Sequence, residues 1–214
     1  YISVTGVQTC ALPIFHHCGR PVLILGILAS SISGSKAVTN SYSSIATVTL
    51  SANASSVTFS SIPATYTHLQ IRYMSRMNTA ATWDYDKITF NSDTGSNYAW
   101  HHLYGNGASA VAGSATSQAY AYNGAMTSNN AGSNIFGATV TDILDYSNSN
   151  KYKTVRSLTG YDNNGSGAND ISKGAIFLRS GLWMNTNAIS TITLTPDTGS
   201  FVQYSSFALY GVKA

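Results

Sequence analysis

Cleavage of a glycosidic bond needs two carboxyl groups, one of them held protonated. This chain of 214 residues carries eight acidic residues, all of them aspartate. The pairs close enough in sequence to consider are Asp84/Asp86, Asp142/Asp145 and Asp162/Asp170. On a strand Asp84 and Asp86 share a face, but solvated positions at a strand entry have the same spacing. A serine nucleophile calls for an elbow of the G-x-S-x-G kind, a strand turning sharply into a helix. Gly165-Ser166-Gly167 and Gly95-Ser96 stand instead in turn-rich stretches with no helix to follow, and turn chemistry accounts for them. The expectation is a protein without catalytic residues. A glycan depolymerase is the alternative, and it would require the aspartate pairs to converge.

One fragment has the spacing of a metal site. Asp162, Asn164, Ser166, Gly167 and Asp170 fall at positions 1, 3, 5, 6 and 9 of a calcium loop. Position 12, where a bidentate glutamate closes such loops, is Lys173, which excludes a true EF-hand. A looser Ca2+ site on Asp162, Asn164, Ser166 and Asp170 stays open beside an ordinary Asn/Gly hairpin turn. No other cofactor is implied. His101 and His102 are adjacent, so on a strand they face opposite sides and cannot hold one ion together.

Aromatic residues offer a different chemistry. Alternation groups Tyr98, Trp100, His102 and Tyr104 on one strand face, and Trp83/Tyr85 and Tyr120/Tyr122 are similar pairs. Rings beside Asn, Asp and Ser suit a sugar site, because the C–H faces of a sugar pack on rings while amides and carboxylates take its hydroxyls. These eight residues are therefore candidates for glycan binding. For each ring taken singly, the competing reading is packing in the core or in a subunit interface.

The elements that must position them are strands. Only 9% of residues are charged and glutamate is absent, so the chain is poorly supplied for helix surfaces. Abundant Ser, Thr, Asn and Gly, with 14 Tyr, are the materials of short strands and polar turns. Hydrophobic residues at 43% exclude disorder. Val48/Leu50 and Val57/Phe59 alternate with polar residues on either side of the turn SANAS, a hairpin signature. Leu69, Ile71 and Tyr73 point one way and Gln70, Arg72 and Met74 the other. Further strands are expected over 85–91, 97–104, 135–146, 151–161, 175–184, 189–195 and 205–213, with explicit turns at 147–150, 163–167, 185–188 and 196–200. Residues 105–134 read as a long Gly/Ala/Ser/Asn-rich loop with only 118–122 strand-like. The predicted fold class is all-β: an antiparallel two-sheet β-sandwich, jelly-roll-like, forming one domain over 44–214.

The chain's beginning reads differently. Val4 to Ile14 (VTGVQTCALPI) matches the in-frame translation of a sequencing-library adapter, and no Met precedes Met74, so residues 1–20 are expected to be an artefact or junction. The alternative is a genuine segment with a Cys10/Cys18 disulfide or a Cys/His metal site. Residues 21–43 open with PVLILGILASSIS, too short for the roughly twenty apolar residues of a membrane span. They are expected to form an N-terminal strand or anchor and a linker, with a signal peptide as the alternative. Eleven Lys and Arg are nowhere adjacent, which disfavours nucleic-acid or membrane partners.

Most of the chain from about Leu25 resembles virion proteins of tailed bacteriophages. The segments that carry the likeness are TFSSIPATYTHLQIRYMSR, FNSDTGSNYAWHHLYGNG, DILDYSNSNKYKTVRSLTGYDNNGSG, SGLWMNTNAISTITLTP and SSFALYGVKA. The SFALYG strand is similar to the ends of phage tail-fibre and appendage domains. The resemblance implies a β-sandwich virion component assembled in the host cytoplasm. Its implied partners are further copies of itself, a homo-oligomer with trimers included, and other virion proteins, with host-surface glycan as a ligand. It transfers no catalytic residue. A capsid-decorating or cement protein and a secreted bacterial carbohydrate-binding module are the alternatives.

Overall fold

Strand periodicity governs the architecture of the protein, for which a computed structural model describes residues 41–164 and 170–213. Twelve strands occur among them: β1 (Tyr42–Thr49), β2 (Val57–Phe59), β3 (His68–Ser75), β4 (Trp83–Phe90), β5 (Tyr98–Gly105), β6 (Ala110–Gln118), β7 (Ala121–Thr127), β8 (Gly137–Ile143), β9 (Lys153–Asp162), β10 (Gly174–Trp183), β11 (Ile192–Pro196) and β12 (Ser206–Val212). In β9 the sequence KTVRSLTGYD buries Val155, Ser157, Thr159 and Tyr161 and exposes Thr154, Arg156 and Leu158, the two-residue alternation of a strand with one face in a core.

The strands form two antiparallel sheets. One has eight strands in the order β1-β12-β3-β8-β9-β10-β5-β6, and the other has four in the order β2-β11-β4-β7. Between them lies a core that includes Leu69, Ile71, Ile88, Ile192 and Leu194, with the rings of Phe90, Tyr98, Trp183, Phe201 and Phe207. The Phe90 and Trp183 ring centroids lie 5.5 Å apart, and those of Phe201 and Phe207 5.0 Å, within the range of favourable aromatic contact. The predicted two-sheet antiparallel sandwich is thus the observed fold.

Two cations hold connections rather than strands. The Lys153 ammonium, buried at the start of β9, donates to the carbonyls of Asn148, Lys151 and Thr186, so its three protons are matched by three acceptors. Arg76 donates to the carbonyls of Asn129, Ala131, Gly132 and Ile135 and so gathers the β7–β8 connection onto the end of β3.

Three sequence expectations need correction or a boundary. Residues 105–134 are largely two strands, β6 and β7, and the stretch expected to be strand-like at 118–122 contains the turn between them. The reason is physical. Strand β6 is an edge strand and mostly exposed, so nothing imposes hydrophobic alternation. Strand β7 is buried on nearly every residue, so alternation disappears in favour of small side chains. Secondly, β1 and β2 are not a hairpin: β1 pairs with β12 and β2 with β11, in different sheets. Finally, the readings of residues 1–20 and of the apolar segment lie outside the described residues, while Tyr42 and Ser43, expected to be linker, open β1.

Gly211 in β12 tests the packing at one point, because the Tyr66 ring occupies the space into which a Cβ at 211 would project. Gly211→Ala is expected to cost about 1–3 kcal/mol through overpacking, read as a lower urea midpoint. The Tyr66→Ala/Gly211→Ala pair should lose less than the sum of the single changes, since one of the clashing groups is gone.

Candidate functional site

Antiparallel pairing sets the inward residues of β5 and β10 directly opposite one another: Trp100 faces Gly181, His102 faces Arg179 and Tyr104 faces Phe177. Strand β4 adds Trp83 and Tyr85 from the second sheet, β7 adds Tyr122, and the β6–β7 turn adds Tyr120. The rings meet in a continuous strip. Centroid separations are 4.9 Å for Trp83–Tyr85, 4.7 Å for Tyr85–Tyr122, 5.0 Å for Tyr122–Trp100, 5.5 Å for Trp100–His102, 5.8 Å for His102–Tyr104 and 5.2 Å for Tyr120–Tyr122. The members of the strip are neither sealed nor free, each half-buried. Trp100 and His102 stack almost parallel at 7°, and the His102 ring lies against Gly113 on β6, where a Cβ would collide with it.

Seven of the eight sequence-predicted binding residues therefore converge: Trp83, Tyr85, Trp100, His102, Tyr104, Tyr120 and Tyr122. Tyr98 does not join them. It is fully buried with Phe90 and Trp183. Its hydroxyl accepts from the Phe90 amide at 2.9 Å and donates to the Asp93 carbonyl at 3.2 Å. Burial, chiefly, pushes its pKa up to about 12. Parity alone could not separate it from Trp100, because strand β5 enters the core at its first residue and leaves cover as it runs toward the β6 edge.

Beneath the strip lies a residue the sequence reading missed. The Arg179 guanidinium is 2% exposed and sits 4.4 Å from the Tyr85 ring, 4.8 Å from Phe177 and 5.7 Å from Tyr122. Cation–π attraction of this kind is worth about 2 kcal/mol or more when desolvated. The Tyr85 hydroxyl also meets the guanidinium, acting on it both by charge and as a hydrogen-bond acceptor, in a geometry short of ideal. Burial lowers its pKa, and Tyr85 and Asp86 oppose that effect. Trp100 Nε1 and His102 Nδ1 are likewise buried without partners, and burial, followed by the charge of Arg179, lowers the His102 pKa. The signal that could have found Arg179 is its parity: in GAIFLRSGLW it occupies an inward position between Phe177 and Gly181.

One flank of the strip is polar and paired. Lys87 meets Asp197 at 2.6 Å and lies 4.5 Å over the Tyr120 ring, while the Tyr122 hydroxyl donates to Asp197 at 3.3 Å. At the other end, Asn106, Asp162 and Lys173 line a shallow hollow of about 320 Å3 beside Gly105.

The aspartate pairs are taken up singly. Asp84 accepts from Thr79 at 2.9 Å and Thr198 at 2.7 Å. Asp86 is fully buried, accepting from the Tyr73 hydroxyl at 2.7 Å, which also accepts from Asn123 at 2.7 Å. Asp142 accepts from Gln70 and Arg156, and Asp145 from Lys151. Asp162 and Asp170 cap the amides of Asn164 and Ser172. Ser166 and Gly167, the remaining members of the calcium register, lie outside the described residues. Among the described residues no three His, Cys, Asp or Glu side chains converge as a metal site would need.

Comparison with protein-family models, curated proteins and solved structures finds no match to this chain.

The buried carboxyl gives a pH signature. Burial raises the Asp86 pKa from 3.8 to about 6, against the hydrogen bond from Tyr73 and the charge of Arg179. With the folded value above the unfolded one, the unfolded chain releases this proton first. Stability therefore falls as pH rises between about 4 and 6 and then levels off. Asp86→Asn should remove that component, on the order of 3 kcal/mol, from urea-unfolding profiles measured against wild type. Equal slopes in the two proteins would show that Asp86 is not the group responsible.

Proposed function

We propose that this chain is a non-enzymatic recognition domain of a phage virion surface, in a tail fibre or appendage, and that its aromatic strip binds host-surface glycan. One observation carries the reading: seven aromatic side chains from two sheets assemble into a single half-exposed strip, with the buried Arg179 beneath it. Sugar C–H faces pack on such rings, and the part-exposed Lys87–Asp197 pair on the flank offers polar groups to sugar hydroxyls. Successive strands that pass repeatedly between the sheets, β1 to β4 in particular, support a jelly-roll-like winding, which suits a rigid platform for a binding face. Assembly with further copies and with other virion proteins belongs to the same reading, as does assembly in the host cytoplasm. The aspartates support the non-enzymatic part, since each one detailed above is engaged with hydrogen-bond partners of its own.

The test is a glycan array with the full chain, followed by titration calorimetry on the best ligand. Trp100→Ala and Tyr122→Ala should each weaken binding about tenfold, near the value of one aromatic contact. Tyr98→Phe should leave binding unchanged. Absence of binding to any surface glycan, or unchanged binding in both alanine variants, would overturn the reading.

A further inference from the structure

The face of the eight-stranded sheet that points away from the core carries large apolar side chains open to solvent. Met74 on β3, Val140 on β8, Leu158 on β9, Ile176 and Leu178 on β10 and Leu103 on β5 range from 39% exposed at Val140 to 64% at Ile176. They are not scattered. Strand register sets Leu103, Leu178, Leu158 and Val140 in one line across four strands. The next line runs Gly105, Ile176, Gly160, Ala138, Met74. An apolar patch continuous over five strands is a feature that soluble surfaces rarely leave uncovered.

We propose that this face is the interface between two copies of this chain, packed sheet to sheet about a two-fold axis. Shape is the first argument. Ile176 stands as a knob between two glycines whose missing side chains leave open space. The hollow at Gly160 is about 280 Å3, lined by Val140, Leu158 and Ile176, and that at Gly105 is about 300 Å3, lined by Leu103, Ile176 and Leu178. A surface that carries both a knob and its holes is complementary to itself, which is what an isologous contact requires. Facing sheets pack about 10 Å apart with interdigitating side chains, and one glycine hollow accommodates the Ile176 of a second copy.

Charge is the second argument. None of the nine residues that make up the two apolar lines carries an ionisable side chain. Arg72, which extends the Val140 line onto β3, is held between the rings of Tyr42 and Tyr210 at 5.1 and 5.3 Å. In the adjoining line Arg156 is neutralised by Asp142 at 2.9 Å. Charge is thus confined to the margins of the face, at Arg72, at the Arg156–Asp142 pair and at Asp162 on β9, and its apolar centre selects neither an acidic nor a basic partner. Area is the third. The two apolar lines, over five strands at about 4.8 Å spacing and about 7 Å apart, cover roughly 300 Å2, the size of an apolar interface centre whose polar rim is the flanking lines. The aromatic strip uses the opposite parity of β5, so the pairing leaves it free and does not rest on the glycan reading.

Sedimentation equilibrium of the full chain under reducing conditions, which remove any disulfide through Cys10 or Cys18, is expected to show twice the 22.6 kDa chain mass at micromolar concentration. Ile176→Lys and Leu158→Lys should each give the single-chain mass with an unchanged far-ultraviolet spectrum. The milder Ile176→Thr, which keeps strand propensity, should weaken association at least tenfold. Tyr204→Lys, exposed and outside this face, should remain paired. A wild-type chain that stays single up to 100 μM, a three-fold assembly, or a pair that Ile176→Lys, Leu158→Lys and Ile176→Thr all leave intact would overturn the proposal.

Discussion

Strand β10 lies between β9 and β5 in the larger sheet, and its register decides what both sides of that sheet present. Because side chains alternate strictly, Phe177, Arg179 and Trp183 turn inward while Ile176 and Leu178 turn outward. A slip of one residue would exchange the two sets, placing the guanidinium in solvent and two large aliphatic side chains against the tyrosines. The inner set fixes the floor of the aromatic strip. The outer set forms the centre of the apolar face. Both depend on hydrogen-bonded neighbours on either side of β10, which leave the register no freedom.

Arginine in the interior is the costly part of this arrangement. An isolated buried charge is strongly disfavoured, and here the compensation is spread over aromatic faces and the carboxyl of Asp86 rather than concentrated in one ion pair. The two groups shape each other: Arg179 favours ionised Asp86, while burial favours the neutral acid. Tyr73, Asn123 and Thr141 extend the polar chain, with Thr141 donating to Asn123 at 2.9 Å. Asn123 sits at the bulge where β7 skips a partner on β4, so an irregularity in pairing is what turns an amide into the interior. Such networks restrict a core to one arrangement when every member is satisfied. Trp100 Nε1 and His102 Nδ1 are left without partners beside the strip.

The scarcity of charge acts at every level. With so few ions, the sheet surfaces cannot be protected by lysines and glutamates in the usual way, and the outer face is left apolar. The same scarcity leaves few carboxylates for acid–base chemistry, and those present cap turns or close polar contacts.

Strand content, most strand positions and the inward parity of Leu69, Ile71 and Tyr73 were legible in the sequence, because alternation is a local property imposed wherever one face is buried and the other wet. So was the grouping of Trp100, His102 and Tyr104, which needs nothing beyond a two-residue repeat. Strands β6 and β7 were not legible, one too exposed and the other too buried for alternation to arise. Nor was the assignment of β1 and β2 to different sheets, since SANAS serves a hairpin or a crossing between sheets equally well. The sequence by itself determined an all-β chain and the residue types on each strand face. Tertiary structure alone decided which strands became neighbours, and thereby that Tyr98 is core while Tyr85, Tyr122 and Trp100 form one surface above Arg179. Contacts between residues tens of positions apart come from sheet pairing, and no local periodicity encodes it.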